Sequence, residues 1–409
     1  MTPAENPTLL VSKFGGSSLS EPEQVKKVAR AIAARHKCGF QQVVVVSAMG
    51  KTTDNLLALA KSISPHPDRR ELDMLLTTGE RISMALLSMA LHDLGIPSVS
   101  FTGSQAGILT TNTFTNAEIL DVRPTRVIES LKQNKVVVLA GFQGVSPESK
   151  EITTLGRGGS DITAVAMAAA LNAERCEIWK DVRGIMSADP RLVPHARKYD
   201  SLSLTTVADM CFWGAKVLHH RCVELAERKK VKLFVGHTDD FAASPAELKL
   251  QSGTMITDAD TAQFAPKQSA ASVNFHKYVL SVDVAGVDTK ETQNTIRATL
   301  EQASLPMPQI LFEGNGTSPG IVRYGLTLDQ DAIEQIEFAF RNQNKMKNLK
   351  WLSSATVTFF EPIAEVSLAP LNIQPTHLDI RKISLTVFVT PDQLIKTITA
   401  LHHQFCHSP

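Results

Sequence analysis

The sequence predicts an α/β protein: a three-layer α/β/α domain on a mostly parallel central sheet, followed by smaller α+β units of ferredoxin-like type. Three observations carry this. From residue 8 to about 240, short β-branched runs alternate with helix-period segments, the pattern of strands joined by crossover helices. One of those runs, "QQVVVVSAMG" (41–50), is too apolar to be half exposed and reads as a strand covered on both faces. Beyond residue 270 the order becomes strand, helix, strand, strand, helix, which is most of a ferredoxin-like module.

Along the chain, "TLLVSKF" reads as the first strand and "EPEQVKKVARAIAARHK" as the first helix. In that helix Val25, Val28, Ala29 and Ile32 share a face behind Ser20 and Glu23, a capping pair. Helical periods recur in "ELDMLLTTGERISMALLSMALHDLG", "RPTRVIESLKQN" and "DITAVAMAAALNA"; strands recur in "PSVSFTG", "KVVVLAGFQG" and "CEIWKDVRGIM". Residues 239 to 270 are rich in Ala, Ser, Asp and Pro with little periodicity and read as a linker. "KYVLSVDVAG" then opens the second part, and Asp288 and Glu291 cap a helix whose Ile296, Leu300 and Ala303 share a face. The tail, "ATVTFF", "AEVSLAP", "RKISLTVFVT" and the helix "PDQLIKTITALHHQF", looks like a second, shortened copy. The expected division is a first domain over 1–240, a linker over 241–270, one module over 271–345 and a shortened one over 346–409.

Composition narrows the function classes. A chain of 409 residues with 43% hydrophobic content exceeds what one core usually serves. A formal net charge of +1 without a basic block argues against nucleic acid as a partner. The five cysteines are scattered, without a C-x-x-C pair or matching histidine spacing, so no zinc site or disulfide framework is expected and a reducing compartment is. No stretch reaches the apolar length of a membrane span, and the expected location is cytoplasmic with no membrane partner.

Strands of the first domain end in small or polar residues, and ligands of such sheets sit outside the carboxyl ends of the strands. "KFGGSS" (13–18) places Lys13, Phe14, Gly15, Gly16 and Ser17 there, and "SAMGKTTDN" (47–55) places Ser47 and Thr53. The most specific run is "TTLGRGGSDITAVAMAAAL" (153–171). Gly156, Gly158 and Gly159 bare the backbone before an apolar helix beginning near Ser160 and Asp161, and Arg157 adds a fork able to clasp a carboxylate. A glycine-rich turn capped by Ser160 is the plain alternative; the arginine and the apolar helix favour an anion site. "KDVRGIMSADPR" (180–191) is as compatible with a charged surface loop as with a site. Lys216, in "FWGAKVLHH" beside Gly214 and Ala215, would matter if it met Lys13 over a transferring phosphoryl group. His219 and His220 diverge on a helix and receive no role; no Walker motif is present.

Taken together, "VSKFGGSSL", "VVVVSAMGKTTDNLL", "LLTTGERIS", "GFQGVSPESKEITTLGRGGSD", "DVRGIMSADPR" and "GAKVLHHRCVELAERKKV" closely resemble the aspartate kinases of the amino-acid kinase superfamily, colinearly over about residues 8–238. The resemblance implies a kinase domain followed by two ACT modules. It implies transfer of phosphate from ATP to L-aspartate to give 4-phospho-L-aspartate, the first committed step towards lysine, threonine, methionine and diaminopimelate. It places Lys13 and Lys216 on the phosphates, with Gly15 and Gly16, and makes Asp161 the organiser of those lysines. Arg157 and Glu80 would read the carboxylate and ammonium of the amino acid, with Ser47, Thr53, Gly158, Gly159 and Ser160 alongside. Lys180 and Asp181 would lie by the ribose and base, Met186, Ser187, Ala188, Asp189, Pro190 and Arg191 would close over the nucleotide, and Ser17 would reach it by its hydroxyl. Mg2+ would arrive with ATP, with no metal cage in the protein.

Two departures stand out. Met186 occupies a place where relatives often carry tyrosine. "VAGVDTKETQNTI" lacks the Pro-Gly turn expected before the first helix of the regulatory half, and the second module lacks an effector loop and a helix. The expectation is weakened feedback by lysine or threonine, and an uncovered sheet face buried against a partner subunit in a homo-oligomer. Acetylglutamate kinase, glutamate 5-kinase and uridylate kinase share the superfamily, and a non-catalytic amino-acid sensor is the alternative from another class; the intact Lys13, Glu80, Arg157, Asp161 and Lys216 speak for an active aspartate kinase.

Overall fold

A computed structural model describes residues 7–65, 67–241, 252–258, 270–286, 288–303, 305, 307–316, 318–327, 333–363, 366, 368–371 and 373–406. The described residues fall into two compact units. The first takes 7–185, 198–211 and 216–258; the second takes 186–197, 212–215 and everything from 270 on.

The first unit is built on an eight-stranded sheet in the order β10-β12-β11-β9-β1-β2-β6-β3. Its strands are β1 (Leu9–Phe14), β2 (Gln41–Val46), β3 (Ser98–Phe101), β6 (Val136–Ala140), β9 (Arg175–Lys180), β10 (Ser201–Ser203), β11 (Leu233–His237) and β12 (Gly253–Thr257). All neighbours run parallel except β11 and β12. Central β2 and β6 are buried over nearly their whole length, as valine runs without alternation require. Helices α1 (Pro22–Lys37) and α3 (Arg69–Asp93) share one core with Phe14, Val44, Val46 and Trp179. Helix α5 (Gly159–Ala170) lies on the other face, against α7 (His220–Lys229). Helices α2 (Thr52–Ile63), α4 (Thr125–Lys132) and α6 (Leu204–Phe212) complete the layers. A small sheet, β5-β4-β7-β8, of β4 (Ile108–Thr110), β5 (Ile119–Val122), β7 (Gln143–Val145) and β8 (Ile152–Thr154), leads into α5.

Two expectations are corrected. The cap of α1 is Glu21, with Gln24 reaching back to its N–H at 3.2 Å, because Pro22 is preset for the first helical position. Part of the linker expected over 241–270 is β12, an ordered strand between β10 and β11; the segments on either side lie outside the described residues.

The second unit is one antiparallel sheet, β14-β15-β13-β16-β18-β17. Strands β13 (Ala270–Ala285), β14 (Ile310–Asn315), β15 (Ile321–Thr327) and β16 (Met346–Phe359) with α8 (Thr289–Gln302) and α9 (Ile333–Arg341) follow the ferredoxin-like order and are compatible with an ACT-like module. As expected, Asp288 caps α8 by accepting from the Glu291 N–H at 2.8 Å. The long β13 and β16 run on to pair with β18 (Ser384–Val389) and β17 (His377–Ile380), beside which the described residues hold a single helix, α10 (Leu394–Phe405).

The uncovered face expected there is covered by this chain. Ala188, Val193, Leu192 and Ala196 share a core with Leu385, Val387 and Val389, α10, and residues between 363 and 373. On the opposite face Trp213 Nε1 donates to Ser384 Oγ at 3.1 Å and packs with Phe388. Two excursions of the chain, 186–197 and 212–215, thus fill what the shortened module lacks. The apolar residues in "GIMSADPRLVPHA" do this work, and the sequence alone could not show where they would pack.

Candidate active site

The parallel register of β1 and β9 arranges the site. Lys13 pairs with Ile178 and Phe14 with Trp179, so strand alternation sends Lys13, Ile178 and Lys180 to the α5 face, and Ser12, Phe14, Glu177 and Trp179 to the other. Asp161, third residue of α5, meets both lysines. Lys13 Nζ lies 2.6 Å from Asp161 Oδ1, off the axis of an aligned hydrogen bond, and Lys180 Nζ donates to Oδ2 at 3.0 Å. One buried carboxylate between two ammonium groups leaves one positive charge in excess.

Burial works against the charge of all three groups. For Asp161 the two lysines outweigh burial and hold the carboxyl far below its usual range. Lys180 is held above its ordinary value because Asp161 outweighs its burial. Lys13 is pulled below its ordinary value by burial, Asp161 opposing this and Lys180 adding to it.

The opposite face is structural. Buried Glu177 accepts from Ser12 Oγ (3.0 Å), Arg35 Nη1 (2.6 Å), Arg175 Nη2 (2.6 Å) and Trp179 Nε1 (3.1 Å). Arg35 also lies over the Phe241 ring at 3.8 Å. A buried carboxylate is tolerated when paired and further hydrogen-bonded, as it is here by Ser12, Arg175 and Trp179 beside Arg35. Phe14 belongs to this side: its ring meets Phe241 edge-on at 5.0 Å. Only its backbone faces the site, its carbonyl accepting from the Ser47 N–H at 3.2 Å.

At the glycine loop, a Cβ on Gly16 would lie 2.7 Å from the Ala48 carbonyl, so the turn requires glycine there. The Gly15 N–H is engaged by the Trp179 carbonyl at 3.2 Å, which corrects the expectation that both glycine N–H groups face phosphate. Ser18 is a stitch, its hydroxyl 2.6 Å from that of Thr238, which in turn donates to the Lys180 carbonyl at 3.1 Å. Ser17 is exposed at the start of a short turn of 3-10 helix.

Glu80, on α3, is 3% exposed and accepts from the Ala48 N–H at 3.2 Å through Oε1, while Oε2 has no hydrogen-bond partner among the described residues. Burial pushes its carboxyl up to about 7, against the pull of backbone N–H donors and the Lys13 charge. Ser47 follows β2, and Thr53 lies in the first turn of α2.

Arg157 is exposed between β8 and α5. Gly158 caps α5 with φ +73°, and a Cβ there would lie 2.4 Å from that of His219. His219, given no role by the sequence, therefore packs under this loop; burial, helped by the neighbouring His220 and Arg221, drives its imidazole down to about 4. Because α5 begins at Gly159, Ser160 is its buried second residue and not its cap.

Sequence reasoning missed Asp73. Fully buried on α3, it accepts from Thr154 Oγ1 (2.6 Å) and from the N–H groups of Thr154 (2.9 Å) and Thr115 (3.0 Å). Its place seven residues before Glu80, on the same helical face, was the available signal.

Lys216 is exposed in a bend ahead of α7 and opens no helix, and Asp181 is exposed just past β9. Met186 to Arg191 belong to the second unit, where the buried Ser187 hydroxyl is 2.9 Å from His402 Nε2 and accepts from the Arg197 N–H at 3.0 Å. A protein-held metal does not fit this site: Asp161 is shared by two lysines, and no group of three or more metal-ligating side chains occurs among the described residues.

The model of the amino acid kinase family matches residues 8–237. An aspartokinase of Mycolicibacterium smegmatis is 41% identical over 418 residues, covering 97% of this chain and 96% of that one. The chain belongs to the aspartokinases. Aspartokinase 2 of Bacillus subtilis is 37% identical over 410 residues, with 97% of each chain covered. The crystal structure of E. coli aspartokinase III in complex with aspartate and ADP matches the fold with a TM-score of 0.75 at 20% identity, covering 98% of this chain and all of that one. No described helix is long and apolar enough to cross a membrane.

Proposed function

We infer that this protein is an aspartate kinase that transfers the γ-phosphoryl group of ATP to the side-chain carboxylate of L-aspartate. The observation that carries the amino-acid end is Glu80: a buried carboxylate with one unpartnered oxygen, within electrostatic reach of Lys13, suits an incoming ammonium. Arg157, on the loop before α5, supplies the complementary fork for the α-carboxylate.

The acceptor carboxylate is already ionised at neutral pH, so no strong general base is needed. One of its oxygens attacks the γ-phosphorus, the bond to the β–γ bridging oxygen breaks, and ADP leaves with the released charge. Lys13 offsets that charge, and Asp161 fixes the lysine by ion pairing without accepting a proton. Mg2+ would come as part of the ATP substrate and supply charge neutralisation at the phosphates, with no ligand required from this chain. The product feeds lysine, threonine and methionine synthesis, the enzyme works in the cytoplasm, and feedback through the C-terminal unit is weakened.

A hydroxylamine trap for acyl phosphate tests the reading, run with ATP, Mg2+ and separately aspartate, glutamate, N-acetylglutamate and UMP. Hydroxamate should form with aspartate; its absence there would overturn the assignment.

A further inference from the structure

Resting on the aspartate kinase reading, we propose that Lys180 is a second phosphoryl-site cation, acting beside Lys13, and not a reader of the ribose or base. The register decides which way it points. Lys13 pairs with Ile178, and Ile178 and Lys180 are two apart on β9, so both ammonium groups leave the sheet on the α5 face at the carboxyl ends of adjacent strands. They converge on one carboxylate, Asp161, at 2.6 and 3.0 Å.

The backbone of Lys180 is fixed as firmly as that of Lys13. It pairs with His237 on β11, and its carbonyl accepts from Thr238 Oγ1, itself bonded to Ser18 of the glycine loop. The side chain starts from an anchored strand end and is 20% exposed, and its ammonium carries two N–H groups beyond the one given to Asp161. A cation needed only to neutralise Asp161 would be redundant, since Lys13 already does so. Two cations on one carboxylate leave net positive charge, which is what a transferring phosphoryl group and its leaving oxygen require.

The test is steady-state kinetics of Lys180→Met and Lys180→Arg with ATP and 2′-deoxyATP, alongside circular dichroism. For Lys180→Met, kcat should fall about 10²- to 10³-fold while KM for ATP stays within about threefold and the preference for ATP over 2′-deoxyATP is unchanged. Lys180→Arg keeps a cation on Asp161 and with it the fold; its kcat should fall about tenfold, again without a change in nucleotide preference. Full kcat in either folded variant, or a loss confined to KM for ATP or to the 2′-hydroxyl preference, overturns the proposal. Should the Met variant fail to fold, the Arg variant decides by the same criteria. Absence of aspartyl hydroxamate from the wild-type enzyme would instead overturn the parent reading.

Discussion

Thr154 Oγ1 donates to Asp73 Oδ1 across 2.6 Å, tying the end of β8 to α3 two turns ahead of Glu80. The same carboxylate receives the N–H groups of Thr154 and Thr115, so the strand leading to Arg157 and the helix carrying Glu80 are referenced to one buried anion. Replacing Asp73 by Asn puts an amide donor against donors. The expected result is a rise in aspartate KM of about tenfold or more with ATP KM little changed, and a loss of about 1–3 kcal/mol in stability. Kinetics against each substrate and urea unfolding check the two parts; an equal rise in both KM values would place the effect elsewhere.

Glu80 sets a pH dependence. Its carboxyl is pushed up to about 7 by burial, so it is largely protonated below that pH and anionic above it. Only the anion attracts the substrate ammonium, hence kcat/KM for aspartate should rise from about pH 6 to about pH 8 with an acid limb near the free-enzyme value. Bound ammonium favours the anion, so the limb in kcat should lie lower. Glu80→Gln should raise aspartate KM and flatten the limb; a pH profile identical to wild type would refute the role.

Lys13 and Arg157 should separate by kinetic signature. Lys13→Ala leaves Asp161 paired with Lys180, so the fold survives while kcat falls by at least about 10²-fold. Arg157→Ala, at an exposed loop position, should act mainly on aspartate KM. Turnover at the wild-type rate in the first variant would remove Lys13 from the phosphate site.

The second unit carries a prediction of weak feedback. Beside β17 and β18 the described residues hold one α-helix, α10, and residues 186–197 pack into the same core. Lysine or threonine at millimolar concentration should lower activity by less than about twofold, a small coupling free energy. Strong inhibition by either amino acid would sink this prediction.

Much of the first unit was legible because its information is local. Valine runs in "QQVVVV" and "KVVVLA", glycine pairs after a strand and an apolar helix after "RGGSD" each specify their own conformation from a few neighbouring residues. Motif order proposed the site residues, of which Lys13 and Asp161 form an ion pair and Lys13 acts on Glu80 through its charge. The destinations of Phe14, Ser18 and Ser187 were not legible, since each depends on a partner 160 or more residues away: Phe241, Thr238 and His402.

By itself, then, the sequence determined an α/β kinase domain and its glycine-lined strand ends, followed by a unit of ferredoxin-like element order. Those follow from periodicity and backbone freedom, which are properties of contiguous residues. Only the tertiary structure decided that Lys180 joins Lys13 on Asp161, that Asp73 holds the loop before Arg157, and that residues 186–197 complete the second core. Each of these depends on strand register or on packing between distant segments, and a one-residue shift of β9 against β1 would turn Lys180 to the opposite face of the sheet.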